Sequence, residues 1–248
     1  MSKYKRPYRF KKKKSILRNR FFWLGILVLA AGGAAFYLLF FSEFFQVEKI
    51  AVRGQEKVSE GEIRSVAEKR LESRILFFKT KSIFAIDLGE IKKEILNRFP
   101  QVATVEVSRD LPDALSIQVS ERQAVAVWCL QDCFFIDKEG APFQRAPLET
   151  DLIKVSGEEK LLGEIGRILE VKSKLKEELG IEIGKAELVS SQRLNVETLE
   201  GWEIYFDLKG DFGWQIQKLG LVLEKQIPPE KRGSLEYVDL RFSRVYYK

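Results

Sequence analysis

Residues 99–122 read FPQVATVEVSRDLPDALSIQVSER, and their spacing decides the architecture of the segment around them. Ala103, Val105 and Val107 alternate with Thr104, Glu106 and Ser108. After Asp110-Leu111-Pro112-Asp113, Leu115, Ile117 and Val119 alternate with Ser116, Gln118 and Ser120. Two runs of period two around a Pro-containing turn predict a β-hairpin with one buried face. Upstream the period lengthens to about 3.6 residues. Ser59-Glu60-Gly61-Glu62 has the residues of a capping box, with Val58 and Ile63 as its hydrophobic staple. Ile63, Val66, Ala67 and Leu71 follow as one apolar stripe. Asp87-Leu88-Gly89-Glu90 repeats the arrangement, with Asp87 as cap, Ile86 and Ile91 as staple, and a stripe of Leu88, Ile91, Ile95 and Leu96 that Pro100 stops. Phe45 to Arg53 reads as a strand closed by Gly54, and the partly apolar loop from Arg74 to Ala85 is expected to fold back on its own domain. The order is β-α-α-β-β over residues 45–122, which suits a three-stranded sheet covered by two helices.

From residue 123 onward the pattern is that of a second, mixed α+β domain reaching residue 248. Ala124 to Leu130 and Phe134 to Ile136 read as strands, and Asp137-Lys138-Glu139-Gly140 as a hairpin turn into Ala141 to Phe143. A long helix is expected over Glu158 to Leu179, with Leu161, Leu162, Ile165, Ile168, Leu169 and Leu175 inward and Gly180 in the helix-ending position. Strands follow at Lys185 to Val189, Arg193 to Leu199 and Trp202 to Leu208. A shorter helix spans about Phe212 to Lys225, and the chain finishes on a strand from Leu235 to Phe242 and a last stretch, Val245 to Tyr247.

Toward the N-terminus the chain changes character. Residues 21–42, FFWLGILVLAAGGAAFYLLFFS, carry no charge. As a helix they would span roughly 33 Å, enough for a bilayer core of about 30 Å. The 20 residues before them contain ten Lys/Arg and no acid. Such flanks stay cytoplasmic, which places residues 43–248 outside. Aromatic residues at both ends (Phe21, Phe22 and Trp23; Tyr37, Phe40 and Phe41) suit the two interfaces. A cleaved signal peptide has a shorter apolar core of 7–15 residues. Here the apolar run continues past the small residues Ala30 to Ala35 through Phe41, so an uncleaved single-pass anchor is expected.

The net charge of +6 belongs to the tail, since without its ten basic residues the chain holds 32 Lys/Arg against 36 Asp/Glu, a balance of −4. A nucleic-acid surface needs a basic patch on a folded domain, so none is expected. The chain has no His, which removes Ser-His-Asp, Cys-His and HExxH chemistry. It also has no phosphate-binding glycine loop of the GxxxxGK[ST] or GxGxxG kind. Scattered Asp and Glu read as solvated surface. No cofactor, metal or catalytic residue is assigned. Cys129 and Cys133, the two cysteines, either bridge a tight turn or remain free thiols.

One ordered set of motifs carries a resemblance. Phe99-Pro100-x-Val102, Val105-x-Val107-x-Arg109, Pro112 and Leu115-x-Ile117-x-Val119-x-Glu121-Arg122 resemble the closing hairpin of a POTRA domain of the FtsQ/DivIB type, found in bacterial divisome proteins. FQVEKIAVRG (residues 45–54) resembles that domain's first strand, FIDKEGAPF (135–143) the hairpin after it, and Tyr237-Val238-Asp239-Leu240-Arg241-Phe242 the family's terminal Val-Asp-Leu-Arg-Tyr strand. The resemblance implies a non-enzymatic scaffold in the cytoplasmic (inner) membrane: basic tail 1–20, transmembrane helix 21–42, POTRA domain 45–122 and C-terminal β domain 123–248. It implies FtsB and FtsL as partners, and control of septal peptidoglycan synthesis, with the last strands accepting a strand from FtsB. An edge strand exposes unpaired N–H and C=O groups that an added strand satisfies. On that basis Arg241, Phe242, Arg244, Val245 and Tyr246 are the candidate partner-binding residues. Arg241 would meet an acidic partner residue, and Phe242 takes the place of the family's Tyr. The segment after Phe242 is shorter than in the family and lacks its Gly. The competing reading packs Phe242, Tyr246 and Tyr247 on their own core and spends Arg241 on an internal ion pair. The helix from Asp87 reads either as a docking face for other division proteins or as solvated surface. The alternative function is a membrane-anchored POTRA protein guiding polypeptides in envelope assembly or secretion.

Overall fold

A computed structural model describes residues 20–75, 77–147 and 149–248. The expected basic tail, except Arg20, lies outside the described residues. Helix α1, Arg20–Phe41, is the apolar run almost as read. None of its residues is buried, and its length and composition are those of a membrane-crossing helix. The chain then divides into two compact units, one running to Arg98 and including Val105–Val119, the other made of Phe99–Thr104 and Ser120–Lys248.

In the first unit β1 (Lys49–Arg53), α2 (Glu60–Glu68), α3 (Leu88–Arg98), β4 (Val102–Asp110) and β5 (Ala114–Glu121) appear in the expected order. The sheet order is β1-β5-β4, so the last strand lies in the centre. Strand β1 runs parallel to β5, with Ile50 opposite Leu115 and Val52 opposite Ile117. A parallel pair needs a long crossover, and the two helices supply it. Leu115, Ile117 and Val119 are buried, as are Ile63, Val66 and Ala67 on one helix, Leu71 just past its end, and Ile91 and Ile95 on the other.

Three details differ from the sequence reading. Ser59 is the N-cap of α2 by position, but its hydroxyl makes no capping bond; the Asp87 carboxylate does cap α3, accepting from Gly89 (2.9 Å) and Glu90 (3.2 Å) N–H groups. On β4 the buried residues are Val102 and Val105, while Ala103 and Val107 are half-buried. Val102 donates its N–H to Phe99 C=O at 2.9 Å, so the alternation starts only after this turn. The loop between the helices contains a small hairpin, β2 (Ser73–Ile75) and β3 (Phe78–Thr80), too short to show a period in the sequence.

The second unit is built on a nine-stranded sheet, ordered β14-β13-β12-β11-β10-β9-β6-β7-β8. Its strands are β6 (Ala126–Cys129), β7 (Cys133–Ile136), β8 (Pro142–Arg145), β9 (Lys154–Gly157), β10 (Ile183–Ser190), β11 (Arg193–Thr198), β12 (Glu203–Asp207), β13 (Tyr237–Asp239) and β14 (Tyr246–Tyr247). Strand β9 escapes sequence reading because Val155 is its one apolar residue. It nevertheless lies between β6 and β10, parallel to both. Helix α4 is Ile165–Leu179, preceded by a tighter 3-10 segment over Glu159–Glu164. Gly163 and Gly166, poor helix formers, mark where the expected longer helix changes form. Gly180 ends α4 with φ 68°, a left-handed conformation open to glycine at little strain. Helix α5 spans Phe212–Lys225 as expected, with Asp211 accepting from Trp214 N–H, and a short α6 covers Pro229–Arg232.

The core of this unit joins Ile165, Ile168, Val171 and Leu175 of α4 and Ile216, Leu219 and Leu223 of α5 to Val196, Ile204 and Phe206 from the sheet. Cys129 and Cys133 form a disulfide across the β6–β7 turn, where they stand opposite in register. Asp137 is buried in its hairpin turn. Its carboxylate accepts from the N–H groups of Glu139 (3.0 Å) and Ala141 (2.9 Å) and pairs with Arg122. Burial alone would raise its pKa, but these donors outweigh it and hold the carboxyl below its ordinary 3.8.

Candidate functional site

The terminal hairpin occupies one edge of the nine-stranded sheet. Strand β13 lies parallel to β12, with Ile204 opposite Val238, and β14 folds back antiparallel on β13, with Asp239 opposite Tyr246 and Val238 opposite Tyr247. Among the described residues no strand pairs with the other side of β14. Lys248 and Tyr237 exchange backbone hydrogen bonds, Lys248 N–H to Tyr237 C=O at 3.2 Å and Tyr237 N–H to Lys248 C=O at 3.3 Å. Antiparallel alternation then turns the backbone of Tyr246 inward and the N–H and C=O groups of Val245 and Tyr247 outward. Those outward groups are the ones a further strand would use.

The expected strand to Phe242 is shorter than read. Strand β13 stops at Asp239, and residues 241–244 form the connecting bend. The reason is local hydrogen bonding. Asp239 accepts from Arg241 N–H at 3.1 Å, and its two oxygens take Arg241 Nε at 2.9 Å and Nη2 at 2.6 Å. Short polar side chains of this kind offer the backbone an alternative to the ladder. Lys218 of α5 reinforces the bend, its ammonium donating to the carbonyls of Leu240 (3.0 Å) and Phe242 (2.8 Å) while lying 3.7 Å from the Trp214 ring centroid. Burial lowers the Lys218 pKa, partly opposed by Asp239.

The five predicted residues therefore divide. Arg241 belongs to an internal ion pair, the competing reading, and is not held out toward a partner. Phe242 and Arg244 lie in the bend and are exposed. Phe242 meets Tyr246 edge to face at 5.9 Å, and both rings are 53% exposed, so neither is consumed by the core. Val245 is half-buried and packs on the core cluster. Tyr246 alone of the five stands on β14.

Side chains that sequence reading missed complete the face beside this edge. Register places Asn195, Tyr205 and Asp239 on the same side of the sheet as the predicted Tyr246. Tyr205 stacks on Tyr237 at 5.2 Å, and the Arg193 and Arg241 guanidinium groups lie 4.7 and 5.7 Å from its centroid. Burial, then a hydrogen bond with Glu203, pushes the Tyr205 hydroxyl pKa up to about 12. The signal available in the sequence was Asp239 two residues before Arg241, the spacing of a local side-chain-to-backbone turn. The edge thus joins a preorganised bend to an aromatic, solvent-facing surface.

The Asp239 carboxyl feels opposing influences. Burial raises its pKa, but the Arg241 side chain and N–H outweigh that and leave it below the ordinary 3.8. A depressed folded pKa contributes stability above the unfolded value, and that contribution disappears as pH falls through the folded one. At pH 7 Asp239→Asn is therefore expected to lower stability by about 1–3 kcal/mol. Its urea midpoint should converge on that of wild type well below pH 3.8. A gap unchanged down to low pH would show that the pair's charge contributes nothing.

Elsewhere in this unit, a cleft of about 640 Å³ is lined by Lys154, Lys172, Lys176, Lys185, Glu182 and Glu197 among others. Lys176 pairs with Glu182 and Lys185 with Glu197, both at 2.9 Å, so opposite charges there are spent on one another.

Comparison with known proteins agrees with the fold. The FtsQ-type POTRA domain family matches residues 45–122. The cell division protein FtsQ of Syntrophotalea carbinolica is 25% identical, over 95% of this chain and 89% of its own. FtsQ of Streptomyces bingchenggensis is 28% identical over 50% of this chain, and FtsQ of Rickettsia bellii 34% identical over 39%. The matched parts are less than half of those two relatives, 44% and 33% of their lengths. Residues 45–122 therefore form an FtsQ-type POTRA domain, and along nearly the whole of both chains the protein is similar to a cell division protein FtsQ.

Proposed function

We propose that this protein is a non-enzymatic scaffold of the bacterial division machinery, anchored in the cytoplasmic membrane by α1. Its N-terminus lies in the cytoplasm, and both folded units lie outside, at the division septum. It binds FtsB- and FtsL-type partners by accepting a partner strand along β14, and through them regulates septal peptidoglycan synthesis. The observation that supports this reading is the one-sided edge. Among the described residues strand β14 is paired with β13 alone, and the outward backbone groups of Tyr247 and of Val245 just before the strand are set beside exposed aromatic rings. Strand addition gives affinity through main-chain hydrogen bonds and specificity through alternate side chains. The relatives' name, cell division protein FtsQ, supports the same role, and the ten basic residues of the tail support the orientation.

The test is capture. Full-length protein in detergent is expected to retain FtsB and FtsL from the same genome on an affinity resin. Failure to retain either, with retention of unfolded polypeptide clients instead, would move the protein to the envelope-assembly reading.

A further inference from the structure

The end of α1 is built into the first unit. Ser82 Oγ donates to the Leu39 carbonyl at 2.7 Å, and Thr80 Oγ1 to the Phe40 carbonyl at 2.5 Å. The Gln46 amide reaches the carbonyls of Phe40 and Ser42 at 3.3 and 3.4 Å. Ser82 is fully buried and Thr80 nearly so. The last carbonyls of a helix have no partner within the helix; here side chains of the folded unit occupy them. Main-chain bonds continue the join, from Val47 N–H to Lys81 C=O at 3.0 Å and from Ile83 N–H to Phe45 C=O at 2.9 Å. No slack segment separates the apolar helix from the domain.

The same capping segment carries a cluster of uncovered phenylalanines. Phe77 is 92% exposed, and Phe78 and Phe44 are each 64% exposed. Phe78 lies edge-on against Phe41, a residue of the apolar helix itself, at 5.9 Å between centroids. In the β2–β3 register Arg74 stands opposite Lys79, which pairs with Glu72 at 2.9 Å, and Lys81 follows, exposed. Large apolar rings left in water are unfavourable, at about 25 cal/mol per Å². Rings mixed with basic residues, level with the end of a membrane-crossing helix, match the composition of a bilayer's interfacial zone.

We propose that the β2–β3 hairpin is a second membrane contact: Phe77, Phe78 and Phe44 enter the interfacial layer of the leaflet that α1 leaves, and Arg74 and Lys81 meet anionic headgroups. Anchor and hairpin then fix the POTRA domain at a set tilt on the membrane. The inference rests on α1 crossing a bilayer, but not on any division partner. Its occupant is the bilayer because Phe78 continues the surface of the apolar helix without a break.

The test uses the full chain in liposomes containing anionic lipid and lipid brominated near the top of its acyl chains, which quenches nearby tryptophan. Of the four tryptophans Trp23 is the one in α1, so the part of wild-type emission that bromide quenches reports on it, and Phe77→Trp adds a fifth indole whose signal is the difference between the two proteins. That difference emission, from the indole introduced at position 77, is expected to fall by about half or more against unbrominated lipid, as for an interfacial aromatic residue. Phe78→Glu in the Phe77→Trp background should restore most of it. Quenching of Trp23 with the difference emission unaffected would overturn the hairpin contact while leaving the anchor in place. No quenching of either reporter would overturn the anchor and the hairpin together. Protection of the introduced indole that depends on protein density and not on bromination would mean that a second copy of the chain covers the hairpin.

Discussion

Val245→Pro is expected to reduce capture of the partner strand by at least about tenfold, the equivalent of about 1.4 kcal/mol, with only the modest loss of stability that follows from changing a half-buried side chain packed on the core. Proline lacks the N–H that a strand donor needs and is tolerated in sheets where that N–H points away from the existing ladder. The reciprocal bonds of Lys248 and Tyr237 fix the alternation, so the N–H of Val245 faces outward and its loss leaves the β13–β14 pairing intact. Tyr246→Pro is the contrasting variant. It removes an inward donor opposite Asp239, and should lower both capture and the urea midpoint of unfolding. Phe242→Ala, which removes an exposed ring beside Tyr246, should weaken capture less than Val245→Pro. The comparison is read by surface-immobilised full-length protein against the FtsB-type partner, with unfolding of each variant measured in parallel. Val245→Pro that binds like wild type would place the binding surface elsewhere.

The largest stability effect is expected from Phe206→Ala. Phe206 is fully buried in the middle of β12 and meets Phe212 of α5 edge to face at 5.9 Å. Phe212 is covered in turn by the Arg167 guanidinium, 3.9 Å from its centroid. That Arg167 is held by the carbonyls of Leu208 (2.7 Å) and Gly210 (2.9 Å). Truncating a buried phenylalanine costs about 3–5 kcal/mol through lost burial and the cavity left behind. Against a typical total of about 5–15 kcal/mol this is a large fraction. Urea unfolding in detergent, followed by tryptophan emission, to which the fully buried Trp202 contributes, should show the midpoint shift. Because β12 carries β13, and β13 carries β14, capture should fall in proportion to the unfolded fraction. A loss smaller than about 1 kcal/mol would mean that this part of the core repacks freely.

These two residues illustrate what was legible in the chain. Phe206 lies in the run Trp202 to Leu208 that reads as a strand, and its burial follows the alternation of Ile204, Phe206 and Leu208, a local pattern that needs no knowledge of the partner strand. The same is true of Leu115, Ile117 and Val119, of the helix stripes at Ile63 and Ile91, of the stop at Gly180, and of the charge-free run from Phe21. In each case the signal and its cause lie within a few residues of one another. The terminal bend was legible only in part. Its strand pattern showed, but the capture of Arg241 by Asp239 depends on competition between a ladder bond and a side-chain bond, which hydropathy does not record.

What the sequence by itself determined is therefore the longer elements, their order and most of the residues they bury, because amphipathic period and capping chemistry act over one or two turns of chain. Which elements become neighbours was decided only in three dimensions. The central place of β5, the insertion of β9 between β6 and β10, the seating of Thr80 and Ser82 on the last carbonyls of α1, and the open side of β14 all join residues far apart in the chain. Their free energy comes from contacts that exist only once the sheet has closed, so no local pattern encodes them.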